Sequence, residues 1–133
     1  MSFWLLKTEA DAYSYADLVR DGIAEWDGVT NPTAQRNMRA MAVGDRCVIY
    51  HTGDERRAIG LAEIVRAPYA DPTDPTGRRV WVDLRATGEL PRPVGLVDIK
   101  AMPIFATSPL VTIGRLSVVP LTSEQFEVFA KAL

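Results

Sequence analysis

The residues able to do chemistry in this chain are few and scattered. There is one histidine, His51, and one cysteine, Cys47. A lone imidazole and a lone thiol do not make the nitrogen and sulfur ligand sets of zinc or iron–sulfur centres, so no metal is expected. No glycine-rich phosphate loop or dinucleotide fingerprint occurs, because Gly53 and Gly60 lie in a hairpin with no helix start beside them, and no cofactor is expected. A hydrolase would have to use His51 as its sole imidazole base, without a nucleophile elbow. What remains is aromatic and amide chemistry. Trp26 offers a π-face to a base, and Asn31, five positions on, carries an amide able to read a polar edge or to cap a helix. Lys7, closing an apolar run, suits a phosphate or base-edge contact or a solvated strand end. Tyr50 and His51 can border a pocket, and Arg115 with Ser117 can hold phosphate. Trp4, inside the run Phe3 to Leu6, reads first as core.

The elements that position these residues follow from local signals. Phe3 to Leu6 before Lys7-Thr8-Glu9 is a buried strand at the start of the chain. Ser14 with Asp17 caps a short helix that Gly22 stops. Asn31-Pro32 opens a second helix, expected to run to about Ala42, with Ala34, Met38 and Met41 facing the core and Gln35, Arg36 and Arg39 elsewhere on its surface. Cys47 to His51 and Ala58 to Arg66 form a hairpin across a polar turn. Asp71 to Gly77 is a loop, and Val80, Val82, Leu84 and Ala86 alternate as a half-buried strand. Val97 to Met102 makes a short helix. Thr122 with Gln125 is a capping box ahead of a stripe of Phe126, Phe129, Ala130 and Leu133.

With 133 residues, 47% of them apolar and 24% charged, the chain suits one folded domain over 1–133. The single cysteine excludes an internal disulfide, and no stretch approaches a membrane span, which suggests a cytoplasmic protein with no membrane partner. The net charge of -2 argues against a broad phosphate-binding surface, so any nucleic acid must be held by a pocket or a local patch. Arg36/Arg39, Arg56/Arg57 and Arg78/Arg79 are candidates for such a patch.

Three stretches, Trp4-Leu-Leu-Lys7-Thr8-Glu9, Trp26-Asp27-Gly28-Val29-Thr30-Asn31 and Gly114-Arg115-Leu116-Ser117-Val118, together resemble the EVE family of the PUA-like superfamily. Tyr13-Ser14, Arg39-Ala-Met41, Gly44-Asp45, Tyr50-His51-Thr52 and Gly60-Leu-Ala-Glu63 follow in the expected order. The resemblance implies an α+β fold, a PUA-like mixed or antiparallel β-barrel with short peripheral helices, related to YTH domains and to thymocyte nuclear protein 1-like proteins. It further implies a pocket for a modified nucleobase of DNA or RNA, and no catalysis. The matching pocket positions are Trp4, Lys7, Thr8, Trp26, Gly28, Val29, Asn31, Tyr50 and His51. The chain departs from the family at Pro32 to Arg36, where Tyr-Gln-Ala-Arg-Asn is commoner, and at Ala10, which replaces a proline. Three other readings stay open. They are an RNA-binding module indifferent to modification, an enzyme acting on a nucleoside through His51 or Lys7, and a protein-interaction module with a vestigial pocket.

Overall fold

A computed structural model describes residues 1–131. The apolar run at the start becomes β1 (Phe3–Thr8), followed by α1 (Tyr15–Asp21), β2 (Ile23–Trp26) and α2 (Pro32–Arg39). The hairpin strands are β3 (Arg46–His51) and β4 (Arg57–Ala70), and β4 pairs next with β5 (Val80–Gly95). Two short helices, α3 (Leu96–Ala101) and α4 (Pro109–Thr112), precede β6 (Val118–Leu121) and α5 (Ser123–Lys131).

The strands form one mixed sheet in the order β2-β5-β4-β3-β1-β6. All pairs are antiparallel except β1 with β3. Among the described residues β2 and β6 are the two edges, so the expected mixed β-barrel takes the form of an open sheet. Helix α2 packs on both β6 and β5, its Asn37 Nδ2 donating to Val118 O at 2.9 Å and its Gln35 reaching Val80.

Local caps form where the sequence calls for them. Ser14 Oγ accepts from Asp17 N at 3.1 Å while Ser14 N donates to the Asp17 carboxylate at 2.9 Å. Asn31 Oδ1 accepts from Ala34 N at 3.0 Å, and Thr122 and Gln125 exchange the two bonds of a capping box. Leu133 lies outside the described residues. Helix α2 ends at Arg39, earlier than expected, because the Asp45 carboxylate draws Ala42 N to itself at 2.9 Å and turns the chain into β3.

Gln35 corrects the sequence reading. It is buried, its Nε2 donating to Val29 O at 2.8 Å and its Oε1 accepting from Val80 N at 2.9 Å, so a polar side chain sits in the interior with its hydrogen bonds satisfied. The two long strands also run past the expected limits, β5 continuing through Pro91 and Pro93. β2 covers β5 only opposite Val82 to Arg85, so beyond that point β5 has a free side on which prolines forfeit no ladder bond. Four register shifts bend the β4–β5 ribbon.

Candidate functional site

The sheet's open end near β2 is walled by two segments that the fold pins from different directions. One is the loop Trp26 to Asn31. Its far end is fixed by the Asn31 cap and by Gln35 Nε2 on Val29 O, and Gly28 turns it at φ +73, a conformation that costs a residue with a Cβ about 1–2 kcal/mol. The other is the end of β1 with the turn that follows. Thr8 Oγ1 donates to Tyr13 O at 2.7 Å, and Lys7 N donates to Ser117 O at 2.9 Å.

Between them lies a cleft of about 690 Å³. Lys7, Thr8, Trp26, Gly28, Val29 and Ser117 line it, six of the residues singled out from sequence. Trp26 is only 6% exposed, so little of its ring is open to the cleft. The more accessible ring is Tyr13, half-buried, which meets Trp26 edge-on at 80° with centroids 6.3 Å apart. Sequence reasoning quoted Tyr13 as part of a motif without giving it a place in the site.

The cleft is rich in acceptors. Asp21, Glu25 and Asp27 line it against a single cation, Lys7. Tyr13 Oη donates to Asp21 Oδ2 at 2.8 Å, and that bond, with Arg20 beside it, holds the Asp21 carboxyl below its ordinary value. Desolvation, then Asp21, raises the Tyr13 hydroxyl, which stays protonated. Burial lowers the Lys7 ammonium, whose Nζ donates to Gly114 O at 2.8 Å. A carboxylate wall beside an aromatic ring suits the N–H groups of a base, as carboxylates accept from cytosine N4, better than it suits phosphate.

The other sequence-selected residues sit elsewhere. Trp4 is buried with its Nε1 donating to Asp45 Oδ2 at 3.0 Å. His51 is buried behind α1, where Nε2 accepts from Tyr15 N at 3.0 Å, leaving the ring proton on Nδ1 toward Glu55 Oε1 at 3.1 Å. Asn31 caps α2 just beyond the lining, Arg115 is exposed, and Tyr50 is buried under Lys7, whose Nζ stands 5.7 Å from its ring centroid. Among the described residues no group of three or more His, Cys, Asp or Glu is placed to hold a metal ion.

The EVE domain profile matches residues 2–132. The chain belongs to the EVE family. Thymocyte nuclear protein 1 of Danio rerio is 31% identical to it over 95% of this chain and 69% of its own length. Rpa0253 of Rhodopseudomonas palustris shares the fold at a TM-score of 0.92 and 39% identity, covering 98% of this chain and 92% of that one. Human THYN1, solved in complex with 5-methylcytosine-containing DNA, superposes at a TM-score of 0.91 with 26% identity, over 99% of this chain and 97% of its own. A YTH domain from Zygosaccharomyces rouxii, at a TM-score of 0.59 and 16% identity over 98% of this chain and 83% of that one, shares the fold alone. The PUA-like EVE architecture read from the sequence is therefore present, in its open-sheet form.

Proposed function

We propose that this EVE domain is a non-catalytic module that binds DNA or RNA by taking a modified nucleobase into the Tyr13/Trp26 cleft. The observation that carries the reading is the cleft itself, an aromatic pair facing a row of carboxylates, in a fold shared with a protein solved on 5-methylcytosine DNA. A base in the cleft would stack by its π-face against Tyr13 while Asp21, Glu25 or Asp27 accepts from its N–H edge. Thr8 and Lys7 flank the entrance, although the Thr8 hydroxyl proton is already given to Tyr13 O. Catalysis finds little support, because both nitrogens of His51 are engaged within the protein.

The test is a titration panel of oligonucleotides that differ only in one base, cytosine against 5-methylcytosine and adenine against N6-methyladenine, in DNA and RNA. Preference for one modified base supports the reading. Equal affinity across each pair leaves a nucleic-acid module indifferent to modification, and no binding at all removes the cleft from the function.

A further inference from the structure

A second, smaller cleft of about 200 Å³ lies on the other side of Lys7, between the β3–β4 turn, the end of α3 and the segment leading from α4 to Gly114. Its character is opposite to that of the first. Lys7, Arg56 and Lys100 line it and no carboxylate does, whereas three carboxylates line the first cleft. None of these three cations forms an ion pair among the described residues, in a chain whose net charge is -2. Cations left unpaired in an acidic protein and gathered in one concavity focus a local positive potential.

Arg56 adds an independent observation. It is the one non-glycine residue with a positive φ among the described residues, at +47. A left-handed arginine is uncommon, and such strain collects at ligand clamps. Two bonds hold it there: Leu96 N donates to Arg56 O at 2.8 Å, and Arg56 Nε donates to Gly53 O at 3.1 Å. The guanidinium is thus anchored by its Nε, with both terminal nitrogens left to donate.

We infer that this second cleft seats a phosphate of the same strand whose base enters the first, with Arg56 and Lys100 as its grip and Lys7 standing between base and phosphate. The inference rests on the proposed base-binding function. Arginine supplies planar paired donors to phosphate oxygens and lysine a point charge. The acidic first cleft would repel the phosphate, and the basic second one would attract it. The pair therefore fixes the direction in which a nucleotide lies.

The experiment titrates 5-methyl-2′-deoxycytidine, its 3′- and 5′-monophosphates and a short oligonucleotide carrying the same base. The proteins are wild type, Lys100→Gln and Arg56→Gln. One monophosphate is expected to bind about tenfold more tightly than the nucleoside, the return from charge-assisted hydrogen bonds. Each variant should lose most of that gain, leave nucleoside affinity unchanged, and reduce the slope of log affinity against log salt for the oligonucleotide by about 1. Lys100 is exposed and its side chain makes no hydrogen bond or ion pair among the described residues, so its variant tests the cleft without disturbing the fold. If the oligonucleotide binds and both variants match wild type in affinity and salt slope, the second cleft holds no phosphate while the base-binding reading survives. If a monophosphate gains over the nucleoside while the oligonucleotide binds no more tightly than the nucleoside, the cleft takes a free terminal phosphate and not one of the strand. If neither nucleoside nor oligonucleotide binds, with this base or with N6-methyladenine carried through the same series, the base-binding reading fails and takes this one with it.

Discussion

The Tyr13 and Trp26 rings meet edge to face, 6.3 Å between centroids, and they divide one task between them. Trp26 is buried and braces Tyr13, which keeps part of its ring in the cleft. Tyr13→Ala is therefore expected to weaken modified-base binding by about 1–3 kcal/mol, the worth of one base–aromatic stack, with little loss of stability. Trp26→Ala should lose affinity as well, and about 3–5 kcal/mol of stability for an emptied core site. Thermal melts alongside titrations separate the two. Normal binding by a folded Tyr13→Ala would remove that ring from the site.

Gly60 lies directly beneath the Tyr15 ring, where an added Cβ would come within 2.3 Å of it. The ring has nowhere to retreat, because Tyr15 Oη donates to Leu61 O at 2.7 Å and accepts from Gly88 N at 3.1 Å. Gly60→Ala should overpack this contact and cost about 1–3 kcal/mol, read as a lower denaturation midpoint. A neutral result would mean the sheet shifts more freely than its packing indicates.

The Asn31 cap makes a graded prediction. Asn31→Ala should cost about 0.5–2 kcal/mol through the lost bond to Ala34 N, and Asn31→Asp, which keeps an oxygen there, should stay within about 1 kcal/mol of wild type. Chemical denaturation of both variants checks it.

These caps were legible because a cap is written in four consecutive residues. The site was legible only in part, and for a geometric reason. Side chains along β1 alternate, so Lys7 reaches the cleft rim while Trp4 turns its indole toward Asp45, although both belong to one motif. Tyr50 and His51 likewise end a strand near the site without lining the first cleft. Gln35 has the composition of a surface residue, and only the distant backbone of Val29 and Val80 gives it reason to be inside. The length of β5 was hidden because the cost of Pro91 and Pro93 depends on which strand lies alongside, and no local pattern states that.

Asp74 organises the loop before β5, accepting from Thr76 and from the Arg78 and Arg79 amides, the bond to Arg79 N at 2.8 Å. Those bonds, Arg79 foremost, hold its carboxyl at about 2 against an ordinary 3.8. A carboxyl depressed on folding stabilises above its unfolded value and loses that contribution as pH falls toward the folded one. The loop should keep its order from neutral pH to about 4 and lose it between about 4 and 2. Carboxyl chemical shifts should give Asp74 a midpoint near 2; a midpoint near 3.8 would mean the bonds do not persist in solution.

Cys47 is fully buried, and burial, with the Asp45 charge nearby, pushes its thiol well above the ordinary value. Thiolate is the reactive form, so alkylating reagents near neutral pH should leave it unmodified in the native protein and label it once denaturant is added. Labelling at native conditions in step with a free thiol would show the β3 region opening.

The single parallel pairing, β1 against β3, also sets the order in which this chain can be assembled. β1 holds the interior place between β3 and β6, so the first strand of this sheet to be made is among the last to be fully paired. The β3–β4–β5 meander needs only neighbouring segments, but Phe3 must wait for Arg46 on one side and for Leu121 on the other. Closing loops of that length is slow relative to hairpin formation. Until the segment leading into β6 is in place, Lys7 lacks both Ser117 O and Gly114 O, so the residue that stands between the two clefts is fixed by contacts more than a hundred residues away in sequence.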